Sequence, residues 1–211
     1  EYFMNALAEI GAVPVDFSLL KAMYPNHKSI HNKISELENE GKLIRLKKGL
    51  YVVAPQESGM VLSSELIANH LYGPSYVSKE SALRYYGLIP EQVYTLYSMT
   101  TKHARSFTNA LGTFDYSHCS NDYFTIGIRQ ESKEGLFFLM ATPEKALCDL
   151  IINTPNLNLR YQKEIRTYLE EDIRFDMQAF FKMDVEILKQ CLLYGKKKPI
   201  ITNLIHLIRK S

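Results

Sequence analysis

The order of residue patterns in the first 54 residues constrains the fold more than any other feature of this chain. Apolar residues recur three and four positions apart in three short segments, over residues 2–10, 17–23 and 28–40. Two strand-like runs follow, at residues 43–46 and 50–53, and Lys47-Lys48-Gly49 between them predicts a tight hairpin turn. Three short helices before a two-stranded hairpin are typical of a winged helix-turn-helix, which we predict for residues 1–54.

The remaining chain has a different character. Pro55 and Gly59 lie in a stretch that predicts a linker, so we place a second domain at residues 60–211. Helical patterns at residues 61–71 and 79–86 come first, with an extended pair at 76–77. Strand-like runs are predicted at residues 93–100, 112–118, 123–128 and 136–140. Helices are predicted at residues 143–153, 161–172, 176–182, 185–194 and 199–209. The predicted class is α+β: the winged helix-turn-helix, then a mixed α/β domain ending in a helical segment.

Composition excludes several kinds of protein but does not indicate a function. The net charge is only +2, so an argument for nucleic-acid binding must depend on where the charges lie. No apolar run reaches the roughly 18 residues of a membrane span, and the N-terminus lacks a secretory signal pattern. The three cysteines match no zinc spacing and predict small buried hydrophobes in a reducing cytosol. We therefore expect a cytoplasmic protein without membrane association, metal or cofactor.

The third helical segment has the polarity expected of a DNA-reading helix. In a helix-turn-helix the second helix enters the major groove, and its N-terminal residues reach the base edges. The acidic Glu36, Glu38 and Glu40 lie in its C-terminal half, away from the predicted groove contact. The side chains predicted to face DNA are Lys28, Ser29, His31, Asn32, Lys33 and Ser35.

The predicted hairpin adds four cations in seven residues with no acid among them: Lys42, Arg45, Lys47 and Lys48. Such side chains can neutralise phosphates or enter the minor groove, which gives salt-dependent affinity. Two alternatives stay open. A charged hairpin is often only a solvated surface, and some winged helices bind proteins instead of DNA.

An enzymatic alternative depends on weaker signals. The chain has no Gly-x-Ser-x-Gly, His-Glu-x-x-His or phosphate-loop pattern. Asp115, Asp122 and Glu131 with Lys133 could be combined into a metal-dependent nuclease site, although the residues around them are typical of turns. We therefore expect no enzyme, and keep a DNA-targeted nuclease or nucleotidyltransferase-like enzyme as the alternative.

Three smaller patterns carry structural expectations. Lys145 and Asp149 lie four apart on one predicted helix, which predicts an ion pair. The run Lys196 to Lys198 predicts a solvated loop, with an additional DNA contact as the alternative. A group of tyrosines that includes Tyr94 and Tyr97 predicts packed core with hydroxyls at its rim.

Several segments resemble the AbiEi antitoxin family. Residues 76–91, which begin Tyr-Val-Ser-Lys-Glu-Ser-Ala-Leu, resemble one of its motifs, and residues 142–150 resemble its signature around Pro-Glu-Lys-Ala-Leu. Residues 93–101, Arg105 and residues 112–116 follow the family layout, and residues 46–51 resemble its wing. The resemblance extends to about Asn153.

The resemblance implies a component of a type IV toxin–antitoxin system. Its winged helix would bind repeats in its own promoter and repress transcription. Its second domain would counter a nucleotidyltransferase-like toxin, and the family is described as acting without a stable antitoxin–toxin complex. We accordingly expect double-stranded DNA as the direct partner and a monomer or weak dimer.

Overall fold

The computed structural model describes residues 6–210, and the predicted α+β class is confirmed. Its N-terminal part contains three helices and a three-stranded antiparallel sheet of order β1-β3-β2. These elements are α1 (Ala6–Ile10), β1 (Val15–Asp16), α2 (Phe17–Met23), α3 (Ile30–Asn39), β2 (Leu43–Lys47) and β3 (Leu50–Val53). The predicted first helix is present from Ala6 onward, and its earlier part, with Phe3, lies outside the described residues.

Local caps determine where these helices begin. The Asp16 carboxylate accepts a hydrogen bond from the Leu19 amide at 2.8 Å, and the Ser29 hydroxyl accepts one from the Asn32 amide at 3.4 Å. At the hairpin, Gly49 has a φ of +79°, which a residue with a side chain rarely adopts. The Phe17 amide donates to the Gly49 carbonyl at 3.0 Å, so the hairpin turn lies against the start of α2.

The β2–β3 hairpin lies between two hydrophobic cores. Tyr51 and Val53 belong to the N-terminal core, with Leu20, Ile34 and other residues. Val52 and Leu46 belong instead to the large core of the second part. Because neighbouring residues of a strand point to opposite faces, one short hairpin supplies both cores. Each fully buried Leu or Val contributes about 1.5–3 kcal/mol, so the hairpin is held firmly against the second part.

The second part begins directly after the hairpin. Residues 54–59, predicted as a linker, contain the short helix α4 (Pro55–Ser58), with Pro55 in its first turn. The helices and strands that follow up to residue 141 are α5 (Ser64–Leu71), β4 (Ser75–Val77), α6 (Lys79–Tyr85), β5 (Thr95–Thr100), β6 (Arg105–Asn109), β7 (Gly112–His118), α7 (Asn121–Phe124), β8 (Ile128–Lys133) and β9 (Leu136–Ala141).

These strands form a mixed six-stranded sheet of order β6-β7-β5-β4-β9-β8. Strand β5 pairs parallel with β7, and β4 pairs parallel with β9, whereas the other neighbours are antiparallel. Helix α5 lies on one face, where the Ser75 hydroxyl donates to the Ala68 carbonyl at 3.5 Å. Tyr76 points to the opposite face and contacts Asp149, which lies on the helix that follows β9.

The strand prediction was right for the centre of the sheet and failed at its edges. Residues 123–128 were wrongly predicted as a strand, because Ser120 caps the short helix α7 and accepts a hydrogen bond from the Tyr123 amide. Strands β6 and β8 were not predicted. Both lie at the sheet edges and are largely exposed, so their sequences lack the apolar alternation of buried strands.

The chain ends in helices, as predicted. They are α8 (Pro143–Asn153), α9 (Gln162–Thr167) with a π-helical turn (Tyr168–Asp172), α10 (Met177–Phe180), α11 (Val185–Tyr194) and α12 (Lys198–Arg209). None of the helices within residues 6–210 is long and apolar enough to span a membrane. All three cysteines are buried free thiols, which confirms the prediction for them.

Candidate nucleic-acid interface

The N-terminal half of α3 presents a polar face to solvent. Ile34 and Leu37 point into the core, and His31, Asn32 and Ser35 are exposed on the opposite side. The residue two positions before the helix, Lys28, is exposed and forms no ion pair within residues 6–210. Ser29 is only partly exposed, and its hydroxyl is used as the helix cap. Lys28, His31, Asn32 and Ser35 are therefore the predicted helix contacts that remain available to a ligand.

Three of the predicted DNA-binding cations are instead paired within the chain. Lys33 lies 3.3 Å from Glu36, and Lys42 lies 2.7 Å from Glu40. Arg45 donates two hydrogen bonds to the Glu38 carboxylate, at 2.9 and 2.8 Å. The three acids that the sequence placed away from the interface are thus the partners of these cations. The pairs are at least partly exposed, so each is weak, and phosphate could compete for the cation.

The two lysines of the hairpin turn have different environments. Lys47 is half-buried and donates a hydrogen bond to the Leu71 carbonyl at 2.6 Å. Burial lowers the pKa of Lys47, and the nearby charges of Lys102 and Arg105 lower it further. Lys48 is exposed and has no ion pair in the described part of the chain. Of the two, Lys48 is the one free to bind a phosphate.

A groove of about 660 Å³ opens between the end of α2 and the start of α3. We call it the basic groove; its lining residues are Ser18, Lys21, Ala22, Tyr24, Pro25, His27, Lys28, Ser29, Ile30 and His31. No carboxylate is among these lining residues, all of which belong to the described part of the chain. His31 stacks on Phe17 with ring centres 4.8 Å apart, which fixes one wall. Lys21 and His27 were missed by sequence reasoning, because they lie outside α3 and the hairpin, to which the predicted contacts were confined.

A second group of cations lies beside the hairpin on the other part of the molecule. The Arg105 guanidinium lies 4.5 Å from the centre of the Phe107 ring, and the Lys102 ammonium 5.1 Å from that of Tyr72. The Lys47 ammonium lies 5.6 Å from the Phe107 ring. Sequence reasoning did not find this group, because Lys47 and Arg105 meet only through tertiary packing.

The two segments that resemble the antitoxin motifs meet in the interior. The Asp149 carboxylate on α8 accepts hydrogen bonds from the hydroxyls of Tyr76 at 2.9 Å, Ser78 at 2.6 Å and Tyr123 at 2.7 Å. Burial raises the pKa of Asp149, against the opposing effects of Lys145 and of the three hydroxyls. Every oxygen of this carboxylate is satisfied, so the network is well suited to hold β4, α7 and α8 together.

The ion pair predicted between Lys145 and Asp149 is not formed, since neither residue takes part in a salt bridge within residues 6–210. Lys145 is fully buried, and its ammonium donates to the carbonyls of Tyr123 and Ile126. It also lies 3.7 Å from the centre of the Tyr123 ring. Burial lowers the pKa of Lys145, and the charge of Asp149 counteracts this effect. Lys145 and Asp149 thus interact through space, and each is hydrogen-bonded to other groups.

The residues of the nuclease alternative do not come together. Asp115 lies on β7, whereas Glu131 and Lys133 lie on β8, with β5, β4 and β9 between them. Four strand spacings of about 4.8 Å separate these positions by roughly 19 Å. Within residues 6–210, no group of three or more His, Cys, Asp or Glu side chains could hold a metal ion. The structure therefore assembles no metal site from these four residues.

The C-terminal lysine run is only partly a solvated loop. Lys197 donates hydrogen bonds to the carbonyls of Ile151 and Thr154, at 2.8 and 2.6 Å, and so satisfies the end of α8. Lys198 donates to the Leu193 carbonyl at 3.3 Å. Only Lys196 keeps an ammonium with no hydrogen bond or ion pair among the described residues. The run therefore offers little to a DNA backbone.

Comparison with known proteins adds no family to this geometry. No protein-family model matches the chain, and no curated protein sequence is significantly similar to it.

Proposed function

We propose that residues 6–54 form a winged helix-turn-helix that binds double-stranded DNA, and that the protein is a transcriptional repressor acting at its own promoter. The observation that carries the proposal is the basic groove. Its lining includes Lys21 and Lys28, each exposed and without an ion pair among the described residues, and no carboxylate. A concave surface whose cations have no ion-pair partner is well suited to bind a phosphate backbone.

The neighbouring residues support contact with bases as well. His31, Asn32 and Ser35 continue from the groove along the exposed face of α3. An asparagine at such a position can make a bidentate contact with adenine. Lys48 adds an exposed cation at the hairpin turn, and Lys102 and Arg105 add two more beside Lys47 on the second part.

The antitoxin role belongs to the same proposal and depends on the resemblance alone. The Asp149 network offers a structural reason for both motifs, because Tyr76 and Ser78 of one motif bind Asp149 of the other. Those residues are buried, so surface residues of the second part would have to act on a toxin. Co-expression with a nucleotidyltransferase-like toxin encoded alongside tests this role, and undiminished toxicity would contradict it.

The DNA-binding proposal is tested by fluorescence anisotropy with the DNA upstream of the gene, across a series of salt concentrations. We expect Lys21→Ala with Lys28→Ala to weaken binding about tenfold, since each exposed contact contributes about 0.7 kcal/mol. The slope of log K against log salt should fall by roughly 2, because two phosphate contacts are lost.

The matched control is Lys163→Ala with Lys182→Ala, which removes two exposed lysines far from the groove in sequence. It should leave affinity and salt slope unchanged. If the wild-type protein does not bind the upstream DNA at low salt, or if both double variants bind equally well, the proposal is wrong.

A further inference from the structure

One edge of the six-stranded sheet is open along the whole of β8. The strand contains no proline, its pairing with β9 runs through six residues without a register shift, and most of its side chains are exposed. Proteins commonly interrupt such an edge, because its free amides and carbonyls can pair with another strand. At the opposite edge, β6 lies beside the hairpin, where the Asn109 side chain donates to the Leu46 carbonyl at 3.1 Å. The edge at β8 is therefore a regular surface that can accept a further strand.

The hydrogen bonds between β8 and β9 alternate along the ladder. Just before β8, the Thr142 amide donates to the Gly127 carbonyl at 2.8 Å. Hydrogen-bonded and non-hydrogen-bonded pairs follow one another in an antiparallel ladder, so every second residue from Gly127 onward is bonded to β9. These bonded residues of β8 are Arg129, Glu131 and Lys133.

The residues between them direct their backbone groups away from β9. Leu139 lies opposite Gln130, and its amide donates to the Asn69 side chain at 2.7 Å instead of to β8. This contact agrees with the alternation. The residues with outward backbone groups are Ile128, Gln130 and Ser132. Within residues 6–210 these outward amides and carbonyls have no hydrogen-bond partner.

Arg129 and Glu131 give this edge a charge pattern that complements itself. The two side chains lie 3.6 Å apart, and Tyr86 contacts both, with its ring centre 5.4 Å from the guanidinium and its hydroxyl 3.4 Å from the carboxylate. These contacts hold both charges on one face of the strand. An identical strand that runs antiparallel along β8, centred on Gln130, would place its Glu131 opposite Arg129 and its Arg129 opposite Glu131.

Charge also selects this register over its neighbours. Centred one residue to either side, the pairing would put Arg129 opposite Arg129 or Glu131 opposite Glu131, and like charges directly opposite each other are destabilising. Centred on Gln130, the pairing joins the outward residues to one another, Gln130 with Gln130 and Ile128 with Ser132. Each such pair exchanges two hydrogen bonds, so about six would form in all.

Exposed apolar side chains on β9 lie beside the same edge. Phe137 and Leu139 are 57% and 41% exposed, and they lie opposite Ser132 and Gln130 in the β8–β9 pairing. A strand added at β8 would cover part of this apolar surface, which favours its addition. Tyr94 is still more exposed, at 87%, which contradicts the expectation of a packed tyrosine there, but a single exposed ring indicates no partner.

We propose that β8 pairs antiparallel with β8 of a second copy of this chain, about a two-fold axis at Gln130. The occupant is a second copy because the same strand supplies the opposite charge at both positions, as a two-fold interface requires. The internal pair of Arg129 and Glu131 need not break, since the four side chains would alternate in sign across the axis. The contact area is small, so we expect a weak dimer that forms with rising concentration. The proposal does not depend on DNA binding.

The test is sedimentation velocity on the full chain at concentrations up to about 1 mM, where we expect the wild type to pass from monomer to dimer. Gln130→Pro removes the amide at the axis from both copies and should weaken the dimer at least about tenfold. The matched control is Gln130→Ala, which keeps the amide and should dimerise like the wild type.

A charge exchange tests the register without depending on how proline affects the strand. Arg129→Glu alone and Glu131→Arg alone should each weaken self-association at least about fivefold, because like charges then face each other. An equimolar mixture of the two variants should recover the dimer, since each chain supplies the charge that the other lacks. Circular dichroism checks that both variants keep the wild-type helix and strand content.

Three results would overturn the proposal. A wild-type chain that stays monomeric throughout would leave the edge to a strand of another protein. Equal dimerisation of Gln130→Pro and Gln130→Ala would place any self-association on a different surface. Mixed charge variants that associate no better than each variant alone would exclude the pairing of Arg129 with Glu131 across the axis.

Discussion

The Asp149 network and the basic groove use charged residues in opposite ways. Around Asp149 and Lys145, both fully buried, each charge is surrounded by internal hydrogen-bond partners. In the basic groove, Lys21 and Lys28 are exposed and keep no ion pair within residues 6–210. Burying a charged group without partners is costly in free energy. A charged group inside the folded protein therefore needs hydrogen-bond partners that the fold supplies. The difference separates residues that stabilise this protein from residues that are free to bind a ligand.

The hairpin shows that the sequence pattern alone does not distinguish a lysine that stabilises the fold from one that is free to bind a ligand. Lys47 and Lys48 are neighbours of the same type, and both look like wing cations. Lys47 is bound to the Leu71 carbonyl and Lys48 is not. Of these two adjacent lysines, one therefore stabilises the fold and the other is free to bind a ligand.

Among the substitutions that test this comparison, Asp149→Ala has the largest expected effect. We expect it to reduce the free energy of unfolding by about 3–5 kcal/mol, because it leaves a buried cation without its counter-charge and three hydroxyls without an acceptor. Urea unfolding followed by circular dichroism measures the change. Asp149→Asn should cost less, since the amide oxygen still accepts.

The control for Asp149 is Glu170→Ala, which breaks the exposed pair of Glu170 with Arg166 at 2.8 Å. Its expected cost is below about 0.5 kcal/mol. If the two alanine variants lose similar stability, the Asp149 network does not have the structural role assigned to it.

Alkaline pH tests three buried tyrosine hydroxyls, two of which belong to the Asp149 network. Burial raises the pKa of Tyr76 and Tyr123 well above the ordinary 10.0, with Asp149 adding to the effect, and raises that of Tyr168 to about 12. Above pH 10 the unfolded chain loses these protons before the folded protein does, so folded tyrosines bind more protons. The stability they contribute is therefore complete below pH 10 and is lost as pH rises toward 12.

Each such tyrosine should contribute a slope of about 1.4 kcal/mol per pH unit in this range. Urea unfolding at several alkaline pH values measures the slope, and ultraviolet absorbance of the phenolate follows ionisation. A stability that stays constant between about pH 10 and 12 would contradict the assignment.

The smallest expected effects separate Lys47 from Lys48. We expect Lys47→Ala to lower stability by about 1 kcal/mol, through the lost hydrogen bond at a half-buried site. Lys48→Ala should leave stability unchanged within about 0.5 kcal/mol and weaken DNA binding a few-fold. Unfolding and anisotropy measurements on both variants check this division. The reverse assignment of effects would show that the hairpin binds DNA through Lys47.

The sequence by itself determined the α+β class, the N-terminal helices and hairpin, the central strands, and α8 with the bounds predicted for it, residues 143–153. These features follow from caps, turn residues and periodicity within a few positions, which act locally. Even so, the edge strands β6 and β8 escaped prediction, because exposed strands lack a periodic apolar signal.

Only the tertiary structure decided which charges are free. Arg45 is paired with Glu38, seven positions away, and Lys47 with Leu71, twenty-four away. Tyr76 and Asp149 are seventy-three residues apart. A charged side chain has the same local signature whether it is solvated or bound. Its partner is set by how distant segments pack, and burial then fixes how strongly the pair is held.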